Sequence, residues 1–252
     1  EKGFKVDELF KTYNTGTATG KDSVFVQMTI EDMAKTLQFL DKVYLEDKIA
    51  DYLYRPFDVR KMPYDSASIQ RLRMNVMDHM RKDNVALVTC KKQTSFNFQH
   101  ILVSNVVTDR CAVSLQTGEV GYVFPLYLYI KQNEKIPNLD KVVWSTINKT
   151  VGETTPEDIF DYIYAVLHSP NYRGKYKEFL KIDFPRVPYP KSKKQFEALV
   201  VFGKELRELH LLESPKVNQF ITTYPVAGSN VVEKLSYKNS KVFINAEQYF
   251  GD

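Results

Sequence analysis

The stretch CKKQTSFNFQH, residues 90–100, is dense in side chains that make directional polar contacts. A lysine can donate to the O6 and N7 acceptors of guanine, and the amides of Asn and Gln can contact adenine N6 and N7 in pairs. Lys92, Gln93, Asn97 and Gln99 are therefore candidates for reading base edges, on a loop that also holds Lys91, Thr94 and Ser95. A merely solvated polar loop has the same composition, and that alternative stands beside the first.

The charge distribution supports a polyanionic partner. The 252-residue chain has a net charge of only +4, yet residues 55–100 hold nine Lys/Arg against four Asp, and residues 170–194 hold eight against Glu178 and Asp183. The rest of the chain is correspondingly acidic. Clustered positive charge steers polyanions and releases counterions from phosphates. Candidates for phosphate contact are Lys21, Arg60, Lys61, Arg71, Arg73, Lys91, Tyr172, Arg173, Lys175 and Arg186. Arg60, like Arg55, has a second reading as an internal ion-pair partner of Asp58.

Other chemistries lack their signatures. GTATGKD (16–22) has only three residues between its glycines, and Asp22 stands where a phosphate loop needs a magnesium-binding Ser or Thr. There is no GxSxG, HExxH or GxGxxG pattern, nor the Asn/Asp-Pro-Pro-aromatic motif of amino-methylating enzymes. Cys90 and Cys111 form no CxxC pair and have no histidine at ligand spacing, so no metal site is expected and both read as buried thiols. His79, His100, His168 and His210 each occur alone in the sequence and read as structural. No apolar run reaches the roughly 20 residues of a bilayer span, and the first ten residues do not form a signal peptide, so a cytoplasmic location and no membrane partner are expected.

The elements that must hold these side chains are legible in outline. Thr29 caps a helix with Ile30, Met33, Leu37, Leu40 and Tyr44 on one face. VALVTC, HILVSNVV, CAVSL and VGYVFPLYLYI read as strands, the last two as a possible hairpin. Thr154 or Thr155, with Pro156, Glu157 and Asp158, opens a helix whose two faces are both apolar, which places it between packed layers. A shorter helix follows with Tyr172, Tyr176, Phe179 and Leu180 as a stripe. Pro185, Pro188 and Pro190 then enforce an extended basic strip. Ser192 and Gln195 form a capping-box pattern for a last helix, in which Gly203 permits a close crossing. The fold class is α+β, two β-containing lobes joined by a helical middle segment, since strands and helices come in runs rather than in alternation. The expected parts are a connector over 1–50, a β-rich lobe over 51–150, a helical support over 151–213 and the start of a second β-containing lobe over 214–252.

YRPFDVRKMPYD, NVALVTCKKQ, FPLYLY, DYIYAVLHSPNYRGKYKEFLKIDFPRVPYP and ELRELHLLE, in this order, resemble the C-terminal specificity region of single-chain Type ISP restriction-modification enzymes. The resemblance runs from about Phe4 to Phe250. It implies a target recognition domain for double-stranded DNA that is not itself an enzyme. It also implies a parent polypeptide with an adenine-N6 methyltransferase domain as this chain's neighbour, using S-adenosylmethionine, ATP and Mg²⁺. On that resemblance residues 1–50 follow the methyltransferase core, and the second β lobe is cut short at residue 252. The competing reading is a protein-interaction or scaffold module without direct DNA contact.

Overall fold

The computed structural model describes residues 2–42, 46–94, 97–115, 118–131 and 134–251. The chain divides into one unit up to Leu211 and a second from Leu212. In the first, β1 (Gly3–Lys5), α1 (Val6–Leu9), β2 (Asn14–Thr15), α2 (Asp22–Phe25) and α3 (Ile30–Phe39) precede β3 (Ile49–Arg55), β4 (Asp58–Pro63) and α4 (Met74–Met80). Then come β5 (Ala86–Cys90), β6 (Ile101–Ser104), β7 (Val107–Thr108), β8 (Gly121–Pro125), β9 (Tyr127–Lys131) and β10 (Glu134–Pro137). Helices follow: α5 (Lys141–Val151), α6 (Pro156–His168) and α7 (Pro170–Lys175), then β11 (Arg186–Pro188) and α8 (Lys193–His210). The architecture is α+β.

A four-stranded sheet, ordered β2-β8-β5-β6 and antiparallel throughout, sits at the centre of this unit. Every residue of β5 is buried. Because successive side chains in a strand point to opposite faces, Leu87 joins Phe124, Ile101 and Val103 in a core shared with α6, while Ala86 and Val88 join Val123 in a second core. That second core is closed by Val76, Met77 and Met80 of α4 and by Tyr52 of β3. The β3–β4 hairpin, with β7 alongside β3 in parallel, forms a separate three-stranded sheet. Phe4, Val6, Leu9 and Phe10 are buried in the α6-side core, and β1 pairs antiparallel with β11. The proline-fixed strip is thus a strand.

Helix α6 begins as its sequence dictates. Thr155 accepts from the Asp158 amide and Asp158 accepts from the Thr155 amide, with Pro156 in the first turn. All nine residues from Ile159 to Leu167 are buried, as expected for a helix with neighbours all round. Its closest neighbour is α8. A Cβ built on Gly203 would lie 1.8 Å from the Asp161 carbonyl oxygen, so only glycine allows the two backbones this approach. One turn on, Arg207 grips the buried Asp161 carboxylate in a fork, Nε to Oδ1 at 2.7 Å and Nη2 to Oδ2 at 3.0 Å. The second unit holds β12 (Ser236–Lys238), β13 (Lys241–Phe243) and β14 (Tyr249–Phe250) as an antiparallel meander, with the buried Gln248 amide bonded to the Val226 carbonyl and to Asn230.

Several expectations are corrected. CAVSL is not a strand: Asp109 Oδ1 accepts the Cys111 amide at 2.5 Å, which turns the chain there, and β8 pairs with β5 and β2 instead. The Tyr172-to-Leu180 stripe is split by the end of α7 at Lys175, and Phe179 is 68% exposed. Ser192 caps α8 through the Gln195 amide, without the reciprocal bond of a capping box. Met33 and Leu37 of α3 are buried, but Leu40 is exposed, and Tyr44 lies outside the described residues. The histidines are not isolated. Tyr164 Oη lies 2.6 Å from His210 Nδ1, and the His168 and His210 rings are 5.4 Å apart, because the α6–α8 crossing joins positions 42 apart in sequence.

Two outcomes are expected. Gly203→Ala forces α6 and α8 apart and lowers stability by about 1–3 kcal/mol, seen as a shifted urea midpoint. Burial pushes His168 down to about 4 from its ordinary 6.5. Between those values the unfolded chain carries a proton that the folded one lacks, so stability falls as pH drops from about 6.5 towards 4. His168→Gln should flatten that decline in a series of thermal melts.

Candidate nucleic-acid interface

The register of the central sheet decides which loops are neighbours. Cys90, the last residue of β5, pairs with Gly121, the first of β8, and Thr15 at the end of β2 pairs with Tyr122. The chain leaving β2, the chain leaving β5 and the chain entering β8 therefore emerge at one end of the sheet. They are stitched there by main-chain bonds: Gly16 N to Gly121 O, Gly121 N to Arg110 O, and Arg110 N to Thr17 O, at 2.8–2.9 Å. A Cβ on Gly16 would lie 2.6 Å from the Asp109 and Arg110 backbone, so the first glycine of the Gly/Thr loop serves close packing. Ala18 and Arg71 exchange amide bonds at 3.0 Å, and Thr17 Oγ1 donates to Leu72 O, which brings residues 70–73 to the same end.

In the 91–99 loop, residues 95 and 96, Ser95 among them, lie outside the described residues, and Lys91, Lys92, Thr94, Asn97 and Gln99 are exposed. Gln93 is 1% exposed. Its Nε2 donates to the Asn97 carbonyl at 2.8 Å, and its Oε1 accepts from the amides of Gln99 and His100 at 3.1 and 3.3 Å. Thr94 donates through its amide and hydroxyl to Glu119 Oε1. Gln93, a base-reading candidate, thus spends its amide on the loop's own backbone, whereas Lys92, Asn97 and Gln99 are exposed. Below the loop, Cys90 Sγ lies 3.7 Å from His100 Nδ1; burial pushes the thiol up to about 12 and the imidazole below its ordinary value, so both are neutral packing groups at pH 7.

The loop rests on the segment that follows α7. Gln93 N donates to Leu180 O at 3.2 Å, the Arg173 guanidinium lies over the Phe98 ring, and the Lys91 ammonium over the Phe184 ring, both at 5.9 Å. The two basic segments of the sequence therefore meet here. Between them runs a cleft of about 530 Å³ with Thr94, Asn97 and Gln99 on one wall and Lys177 and Lys181 on the other.

The phosphate-contact candidates divide by environment. Lys21, Arg71 and Lys91 are exposed at the sheet end, and Arg73 is half-buried beside them with positive φ. Arg60 is forked onto Asp58 and stacked on Tyr54, and Lys61 pairs with Asp51. Arg55 pairs with the buried Asp109 rather than with Asp58. Arg186 donates to Gly3 O and pairs with Glu8, fixing β11 to the N-terminal segment. Tyr172 is buried with its hydroxyl on the Arg186 carbonyl, and Arg173 Nε donates to Leu167 O. Lys175 is exposed and lies over the Tyr176 ring.

Sequence reasoning missed three cations at this end of the molecule. Arg110 is carried on the turn that Asp109 holds: its carboxylate accepts from Tyr52 Oη and the Cys111 amide and pairs with Arg55, and burial raises its pKa. Nothing local in sequence marks that turn. Lys177 and Lys181 lie within the basic strip, and their helical spacing was the available signal.

A comparison with family models matches residues 40–252 to the Type ISP C-terminal specificity domain. Among solved structures, the chain is similar to part of the DrdV–DNA complex, with 25% identity, a TM-score of 0.64 and 80% of this chain covered. It is also similar to the ATP-dependent Type ISP restriction-modification enzyme LlaBIII bound to DNA, at 21% identity, a TM-score of 0.78 and 98% coverage. A nuclease-deletion mutant of the Type ISP enzyme LlaGI, in complex with a DNA substrate mimic, aligns at 17% identity, a TM-score of 0.73 and 99% coverage. At those identities the LlaBIII and LlaGI likenesses establish a shared fold. The chain spans between 19% and 23% of the length of these three chains. No curated protein matches it.

Gln93→Ala should leave the sheet folded but release the loop. Hydrogen exchange at the Gln99 and His100 amides should accelerate at least tenfold, while the amides of β5 keep their protection.

Proposed function

We propose that this chain, which belongs to the family of Type ISP C-terminal specificity domains, binds double-stranded DNA and reads a target sequence for catalytic parts elsewhere in a longer polypeptide. The observation that carries this reading is the convergence at one end of the central sheet of exposed Lys21, Arg71, Lys91 and Lys92 with the exposed amides of Asn97 and Gln99. The cations meet phosphates and set the register of the duplex, and the loop side chains meet base edges and set sequence. Asn97 and Gln99 suit the paired donor and acceptor of adenine, and Lys92 suits guanine. The DNA-bound state of LlaBIII, LlaGI and DrdV supports the same partner here.

The chemistry that follows recognition belongs outside this chain. Among the described residues no group of three or more His, Cys, Asp or Glu could hold a metal ion, and the glycine loop at 16–20 is occupied by main-chain pairing with Arg110 and Arg71. S-adenosylmethionine, ATP and Mg²⁺ are assigned to the parent's other domains, and this chain, next to an adenine methyltransferase domain of the same polypeptide, directs the methylation and cleavage those domains carry out in the cytoplasm. Among the described residues no helix is long and apolar enough to cross a membrane.

The test is a titration of labelled duplexes at several salt concentrations with the whole polypeptide, without ATP. Asn97→Ala should cost ~1–3 kcal/mol on the preferred sequence and relax preference at one position, whereas Arg71→Gln should weaken all sequences alike and reduce the salt slope by about one unit. If both variants bind every duplex like the parent, this surface does not read DNA.

A further inference from the structure

Residues 176–182 form a ridge with two unlike sides. Phe179 and Ile182 border an apolar cleft of about 460 Å³ shared with Tyr172, Tyr176 and β1. Lys177 and Lys181 turn the other way, onto the cleft whose far wall is Asn97 and Gln99. The Gln93-to-Leu180 main-chain bond ties the two walls and fixes their separation. Amide groups that can read bases thus face, across a fixed gap, two cations: Lys177 on the turn after α7 and Lys181 at the end of the short 3-10 helix Phe179–Lys181.

Resting on the DNA-recognition reading above, we infer that this cleft takes one strand of the duplex, its phosphates along Lys177 and Lys181 and its bases toward Asn97 and Gln99. Glu178 tunes this contact by competing for Lys181. In the free protein Lys181 Nζ lies 3.0 Å from both Glu178 carboxylate oxygens. The Glu178 side chain is 75% exposed, so the pair is a weak surface ion pair that a phosphate can displace. Even then the carboxylate remains close to the incoming anion and opposes it. Glu178 therefore limits affinity for every sequence equally, which keeps discrimination in the hands of the loop.

The two roles make predictions of opposite sign. Lys177→Gln/Lys181→Gln should weaken binding to all duplexes and reduce the log K against log salt slope by roughly two units. Glu178→Gln should instead tighten binding to all duplexes, by roughly twofold to fivefold, the range set by the strength of an exposed ion pair. Both are surface changes, and circular dichroism should confirm the fold before titration. The inference is overturned if Arg71→Gln and Asn97→Ala alter binding while the double lysine variant keeps the parent slope, or if Glu178→Gln weakens binding. If none of the four variants differs from the parent, the recognition reading falls and this inference with it.

Discussion

Strand β5 is the constraint from which the rest of the molecule follows. It is buried along its whole length and antiparallel to both neighbours. Burial on both faces requires an apolar residue at nearly every position, and the period of two sends alternate residues into two cores. One is sealed by α6, the other by α4 and the β3–β4 hairpin. The same antiparallel order leaves no freedom in where the connections go. Loops distant in sequence are delivered to one edge of the fold because strand direction requires it.

Charge has two uses in this protein, and they are separated by burial. In Asp161 with Arg207 and Asp109 with Arg55, a buried carboxylate pairs with a half-buried guanidinium and fixes helix against helix and turn against strand. Removing one partner of such a pair leaves a buried charge unsatisfied, a cost of about 3–5 kcal/mol, so they hold geometry rather than add net stability. The exposed cations around the 91–99 loop have fewer commitments. Lys91 rests over the Phe184 ring and Lys181 beside Glu178, contacts weak enough to yield to a phosphate.

Local chemistry made much of this legible. The cap at Thr155 and the two apolar faces of α6 follow from neighbours within a few positions, and Gly203 among the apolar positions of α8 pointed to the close crossing that Asp161 of α6 makes. The β5 and β6 strands were visible as apolar runs. What escaped was non-local. The β3–β4 hairpin is hidden under a sequence of alternating rings and cations, because Arg60 is neutralised by Asp58 two residues back on β4 and Lys61 by Asp51 across the pair on β3. The turn at Asp109 depends on Tyr52, more than fifty residues away. The same holds for the candidate surface. The 91–99 loop could be found by residue type, but the internal task of Gln93 and the opposing wall at Lys177 and Lys181 exist only once the chain is folded.

Gln93 holds the described part of its loop by main-chain atoms, the Asn97 carbonyl and the amides of Gln99 and His100. These bonds do not depend on the identity of the side chains at 97 and 99. A new pair of residues at those positions inherits the same backbone path, much as type can be changed in a fixed frame. On the proposed reading, a change of specificity can then proceed by single substitutions, without compensating change in either core.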